Sequence, residues 1–249
     1  MRPAARAPSP ASAPRPGRDP GTRRACVRLG ALLLIASALA AAVAPRFAVA
    51  GRVAIWALAG SAAVYAALYL VKALGLDPER RPPGTFLQLL GAPYTGIYWG
   101  VLVASRLLAG SAPHDEIAPG LLLGALPLPW HRQRLARRRL SGVVNLCYEF
   151  PHPSGTPERV ERLSLLTLDG TAPERERTLA ATAWIENRLD RGPVLIHCAQ
   201  GHGRSATLAC AVLLRIGLAK TIDEALERVR EARPRARLNA DQRALLEML

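Results

Sequence analysis

The chain has 249 residues, half of them hydrophobic and 5% aromatic, with 33 Lys+Arg against 19 Asp+Glu for a net charge of +14. The length suits one or two domains. The charge is uneven: residues 1–28 carry seven Arg and one Asp, whereas residues 114–249 carry twenty Lys+Arg and sixteen Asp+Glu, so the excess belongs to a tail and to the flanks of apolar segments and excludes a nucleic-acid footprint over the main domain.

Residues 1–25 are rich in Pro, Arg, Ala and Ser, a composition with too little apolar surface to pack, and we expect a disordered basic tail there. Residues 29–44 and 53–71 are two uncharged apolar runs, flanked by Arg28, Arg46, Arg52 and Lys72. Each approaches the ~20 residues that cross a bilayer. A cleaved leader would have an unusually long n-region and would not be followed at once by a second apolar run, so an uncleaved transmembrane hairpin is expected; a buried pair of soluble helices is the alternative. Residues 86–105 are also free of charge until Arg106, with Tyr94, Tyr98 and Trp99 clustered. They read as a third span or as a re-entrant or interfacial segment. The membrane region is thus placed at 26–112 and a soluble domain at 113–249.

Within that domain, Gly120–Gly124 reads as a short strand and Trp130–Leu140 as a strongly basic helix, either a solvated face or a patch drawn to anionic lipid. Gly142–Cys147 reads as a buried parallel strand and Leu163–Leu168 as another. Pro173 opens a helix to about Asp190, with Ala181, Ile185 and Leu189 on one face. Val194–Cys198 is a further buried strand, and Ser205–Ile216 an alanine-rich helix. Thr221 and Asn239 cap two last helices. Strands alternating with helices predict an α/β fold with a mainly parallel central sheet flanked by helices.

The chemistry gathers between the last strand and its helix, in His197-Cys198-Ala199-Gln200-Gly201-His202-Gly203-Arg204-Ser205. A loop of this kind directs backbone N–H groups inward and ends on a helix N-terminus, which makes an anion site. The Arg204 fork binds two phosphate oxygens at once. The same field stabilises the thiolate of Cys198, so a nucleophile sits beside a phosphate cradle. Four scattered cysteines without a C-x-x-C pair give no zinc or thioredoxin-like site and suit a reducing compartment.

The His-Cys-(five residues)-Arg-Ser loop resembles the signature of the cysteine-dependent protein tyrosine phosphatase superfamily, and its glycine spacing resembles the dual-specificity branch. The resemblance covers roughly residues 114–249. It implies that Cys198 forms a phosphocysteine, that Arg204 holds the phosphate and the transition state, that Ser205 assists the thiolate as leaving group, and that His197 orients the loop. His202 either touches substrate or is an exposed loop residue. The family also uses an aspartate on an earlier loop as general acid. Asp169, ending a strand 29 residues before Cys198, fits that role; a helix-capping turn aspartate is the other reading, and Glu186 and Asp190 are weaker candidates. Gln242 matches poorly a water-positioning glutamine of some relatives. The N-L-C-x-E context of Cys147 resembles lipid phosphatases of the phosphatase-and-tensin group, where a cysteine there pairs reversibly with the nucleophile; plain core packing is the alternative for Cys147.

These readings predict a membrane-anchored phosphomonoester hydrolase of dual-specificity protein phosphatase type, acting on phospho-Tyr/Ser/Thr. The alternatives are a phosphatase of phospholipid headgroups, weakened because Ala199, Gln200 and His202 stand where such relatives often carry Lys or Arg, and a catalytically dead phosphate-binding module. No metal, cofactor or nucleic acid is expected. The expected setting is the cytoplasmic membrane of a bacterium, with the phosphatase domain in the cytoplasm.

Overall fold

The structure is a computed structural model and describes residues 20–109 and 113–249. Most of the expected basic tail lies outside the described residues. Three long helices come first: α1 (Pro20–Val43), α2 (Val49–Ala73) and α3 (Thr85–Ala109). The first begins at Pro20, so residues 20–25, expected to belong to the tail, are helical instead; Cys26 just after them is fully buried and anchors that turn. All three helices are long and apolar enough to cross a membrane. The first two pack as an antiparallel hairpin through small residues: Gly30 lies so near the Ala66 carbonyl and Leu70 that a Cβ there would approach both to 3.3 Å, and Ser37 Oγ donates to the Ala59 carbonyl at 2.8 Å. Close backbone approach of this kind is how helices associate where water supplies no driving force. Pro93 interrupts the α3 ladder, and the Tyr94 N–H next to it donates to Ser61 Oγ on α2 at 3.1 Å.

The domain that follows is built on a five-stranded sheet of order β1-β2-β5-β3-β4, with β1 (His114–Ala118), β2 (Leu121–Ala125), β3 (Gly142–Cys147), β4 (Arg162–Thr167) and β5 (Val194–Cys198). Only the β1–β2 pair is antiparallel. Side chains alternate between two cores with a period of two. Leu121, Leu123, Val144, Leu146, Val194 and Ile196 enter one, while Leu122, Val143 and Leu195 enter the other. Burial on both faces is why these strands read as unbroken apolar runs. The expected first strand is β2, one residue later than read, and β1 ahead of it was not anticipated.

Five helices complete the domain: α4 (Arg132–Arg137), α5 (Arg175–Leu189), α6 (Arg204–Arg215), α7 (Ile222–Ala232) and α8 (Ala240–Glu247). The basic helix expected over 130–140 is only α4, preceded by one 3-10 turn over Pro129–His131. It stops because the chain reverses at Arg139, which takes a left-handed φ of 49°. Glu174, not Pro173, caps α5 through bonds from the Glu176 and Arg177 N–H groups. Thr221 and Asn239 cap α7 and α8 as expected.

The apolar helices are not merely tethered to this domain. Cys26, Tyr65, Tyr69 and Ala73 form one buried cluster with Tyr148, Leu166 and Leu168. Leu102 of α3, 1% exposed, belongs to the main core.

Candidate active site

β5 is the central strand, and it delivers Cys198 to the C-terminal edge of the sheet between Ala125 of β2 and the end of β3. The chain turns at Gly201, whose φ of 78° and whose distance from the Gly124 carbonyl, 2.6 Å from where a Cβ would lie, admit only glycine. This turn aims the Gly201 N–H at Cys198 Sγ, 3.2 Å away. Ser205 Oγ lies 3.2 Å from the same sulfur. Gly203 is the N-cap of α6 and makes no side-chain cap bond, so the first-turn N–H groups of that helix are available to an anion.

Arg204 is 1% exposed. One terminal nitrogen, Nη1, is fully committed: it donates to the Thr167 carbonyl at 2.6 Å, the Leu146 carbonyl at 3.3 Å and Glu149 Oε2 at 2.9 Å. The other edge of the fork, Nε and Nη2, makes no hydrogen bond within the protein; Nη2 is in ion-pair range of Asp169 Oδ1 at 3.2 Å. Burial alone would lower the Arg204 pKa, but Glu149 and then Asp169 reverse this and hold it well above its ordinary value. Burial pushes the Glu149 carboxyl upward, against the Arg204 charge. Arg204 is therefore a fixed cation with one edge anchored and one edge offered.

The other loop side chains differ in setting. Ala199 is buried and Gln200 exposed. His202 is half-buried, and burial together with Arg233, Arg235 and Arg237 pushes its pKa down to about 4, so it is neutral at pH 7. His197 is fully buried, with its pKa pushed down by burial to about 3, and neither ring nitrogen meets a side-chain partner. The loop carbonyls are gripped instead by two arginines that sequence reasoning did not single out. Arg233, after α7, donates to the Gly201 carbonyl at 3.1 Å and the Gln200 carbonyl at 3.2 Å, and pairs with Asp115 of β1 at 2.6 Å. Arg106 of α3 donates to the Leu126 carbonyl at 2.6 Å and the Ala199 carbonyl at 2.9 Å.

Asp169 follows β4 and brings its carboxylate to the offered edge of Arg204, with its side chain 56% exposed. Its loop is held from two directions. From the domain, Asn239 Nδ2 donates to the Gly170 carbonyl and Gln242 Nε2 to the Thr171 carbonyl; Gln242 is buried and lies 3.6 Å from where a Cβ on Gly203 would stand. From the apolar helices, Tyr69 donates to the Asp169 carbonyl at 2.8 Å, and Tyr98 lies 3.4 Å from Asp169 Oδ2. Lys72 Nζ binds Thr171 Oγ1 at 2.8 Å and Glu79 Oε1 at 2.6 Å, and the same Glu79 oxygen accepts the Leu168 N–H. The weaker candidates fall elsewhere: Glu186 pairs with Arg215 on the surface, and Asp190 ends α5. A loop with unpaired helix N–H groups, a cysteine thiol, a guanidinium edge and a carboxyl group thus meet at one sheet edge.

Residues 143–248 match the family model of the dual specificity phosphatase catalytic domain. The chain carries a domain of the dual specificity phosphatase type over these residues. Members are cysteine-based phosphatases. The chain is 34% identical to the phosphatidylglycerophosphate phosphatase PTPMT2 of Arabidopsis thaliana over 53% of its own length and 60% of that protein. It is 33% identical to human dual specificity protein phosphatase 26 over 48% of its own length and 59% of that protein. It therefore spans about three fifths of the length of these curated relatives. The crystal structure of human DUSP28 superposes with a TM-score of 0.50 at 25% identity, covering 55% of this chain and 93% of that one. The three apolar helices precede the matched domain.

Proposed function

We propose that the chain is a membrane-anchored phosphomonoester hydrolase acting through a phosphocysteine on Cys198. The observation that carries this is the convergence on one sulfur of the Gly201 N–H and Ser205 Oγ, each at 3.2 Å, on a loop that ends at Arg204, whose outward edge pairs with Asp169. The phosphoryl group accepts two N–H bonds from Arg204 Nε and Nη2 and further bonds from the loop amides. The Cys198 thiolate attacks phosphorus in line while Asp169 gives its proton to the departing oxygen. Water then cleaves the S–P bond, Asp169 takes its proton, and Ser205 donates to the departing thiolate. Fixed donors aimed at the equatorial oxygens supply the largest share of the rate.

The substrate we infer is a phosphoprotein, because Ala199, Gln200 and a neutral His202 add no charge inside the loop. A phospholipid headgroup is the second reading, favoured by the contacts of Tyr69, Tyr98 and Arg106 with the acid and catalytic loops. Turnover of a phosphotyrosine peptide, a phosphoserine peptide and short-chain phospholipid monophosphates by the detergent-solubilised chain separates the two. Exclusive turnover of the lipids would remove the protein reading, and turnover of none would remove the hydrolase reading. The cytoplasm of a bacterium is the proposed side for the domain, supported by the seven arginines among residues 1–28.

Asp169→Asn is expected to lower kcat by ~10²–10⁴-fold on alkyl phosphates and far less on an activated aryl phosphate, whose leaving group needs no proton. Equal losses on both, measured in parallel, would make Asp169 a structural residue.

Cys147 ends β3, hydrogen-bonded beside β5, with Asn145 and His197 in register. Both it and Cys198 are free and buried, and burial pushes the Cys147 thiol well above its ordinary value. We propose that peroxide oxidises Cys198 to a sulfenic acid, which condenses with the Cys147 thiol to a disulfide and water. Peroxide inactivation is then reversed by thiol, and a Cys147–Cys198 linked peptide appears in the digest. Cys147→Ser should recover less completely. Equal recovery with no linked peptide would leave Cys147 as packing alone.

A further inference from the structure

We propose that α3 does not cross the bilayer but lies along its surface, seated between lipid and the phosphatase domain, and from that seat holds the catalytic machinery through Tyr98 and Arg106. The inference rests on the membrane-anchored reading above. Its first support is that the chain is on the domain at both ends of α3. Before it, Lys72 at the end of α2 and Glu79 are bound to each other and to Thr171 and the Leu168 N–H, and Arg177 of α5 donates to the Glu79 carbonyl. Within α3, three successive turns touch the domain: Tyr98 reaches Asp169, Leu102 enters the main core, and Arg106 binds the Leu126 and Ala199 carbonyls. A helix whose approach and second half are both fixed to one body cannot have left to the far side of a membrane between them. Residues 85–97, the only part ahead of Tyr98, extend about 20 Å, short of the ~30 Å hydrocarbon thickness.

The second support is what the rest of the helix surface offers. Phe86, Leu90, Ile97, Val101 and Leu108 recur at spacings of four and seven and are all exposed, a stripe on one helix face. Exposed Arg80 and Arg81 stand just ahead of the helix, placed for anionic headgroups. The stripe continues a surface of the same kind on the α1–α2 hairpin, where Leu32, Ile35, Leu39, Val53 and Trp56 are exposed. Gly91 and Tyr94 of α3 touch Tyr65 and Ser61 of that hairpin, so the two apolar surfaces meet. The partner of this stripe is the bilayer surface, as for in-plane helices generally. Only α1 and α2 then span, and both the start of α1 and the end of α2 return to the domain, at the cluster of Cys26, Tyr69, Ala73, Leu166 and Leu168. The active site stands at the membrane surface, with Arg106 a positioning residue for the loop that carries Cys198.

Gly84→Cys ahead of α3, Phe47→Cys in the hairpin turn and Glu227→Cys on the domain, all at exposed positions, are labelled with an impermeant maleimide in sealed, oriented vesicles, with the unsubstituted chain as background. Gly84→Cys and Glu227→Cys are expected to react from one side and Phe47→Cys from the other. Reaction of Glu227→Cys from the Phe47→Cys side, opposite Gly84→Cys, in a chain that resists alkaline carbonate overturns this inference alone. Release of the chain by carbonate overturns the anchored reading and this inference with it. In detergent, Arg106→Gln is expected to lower kcat on an aryl phosphate by ~10-fold with little change in KM, and Arg106→Lys to recover part of it. An unchanged kcat in folded Arg106→Gln removes Arg106 from the proposal; where that variant does not fold, the labelling decides.

Discussion

Cys198→Ser is expected to abolish turnover, by at least ~10³-fold in kcat, while leaving the fold and phosphate binding in place. Cys198 is 4% exposed, and its sulfur is ringed by groups that suit an anion: the Gly201 N–H and Ser205 Oγ, each at 3.2 Å. A hydroxyl fits the same space and still accepts the Gly201 N–H, but it does not ionise near neutral pH, and the loop cannot make up that difference. The phosphate cradle itself is untouched, because its donors are backbone amides and Arg204. The measurement is kcat on an aryl phosphate beside calorimetric binding of an oxyanion such as tungstate. Lost turnover with retained binding supports the covalent route. Turnover above ~1% of the unsubstituted chain would exclude that route, since a 10²-fold effect is what loss of a single stabilising donor costs.

The sequence displayed what is local. Val194–Cys198 reads as a strand because it is buried on both faces, and Gly201 announces its own turn; Cys198, Arg204 and Ser205 therefore fall together by chain continuity. Asp169 could be placed because it too ends a strand on the same sheet edge. What was not legible depends on contacts across long stretches of chain. β1 carries two charges in five residues and lacks alternation; its Asp115 meets Arg233, 118 positions away. Arg106 reads as the charge that ends an apolar helix, yet it binds the carbonyl of Ala199, 93 positions on. Lys72 reads as a flanking charge, and only the fold shows it buried with Glu79 under the loop of Asp169. Glu149 lay in plain view in the N-L-C-x-E context, but its role as the anchor of Arg204 needed the geometry.

Arg204→Lys is expected to cost ~10³–10⁵-fold in kcat, the range that a transition-state arginine supplies in phosphoryl transfer, although the charge is conserved. The reason lies in how the two edges of the guanidinium are used. Nη1 is tied to the Thr167 and Leu146 carbonyls and to Glu149, so the plane of the group is fixed before substrate arrives. Nε and Nη2 then present two parallel N–H groups, with only the Nη2 ion pair to the half-exposed Asp169 to give up. An ammonium has no such plane. In the same buried position it would be drawn to Glu149 and the Thr167 carbonyl, and nothing would remain aimed at phosphorus. Its buried charge would still be paired with Glu149, so the fold should survive, which thermal melting checks. Glu149→Gln is the companion variant: it keeps the fork but loosens its anchor, and a smaller loss in kcat is expected. If Arg204→Lys raised only KM and left kcat intact, Arg204 would be a ground-state binding group and the transition-state role would fall.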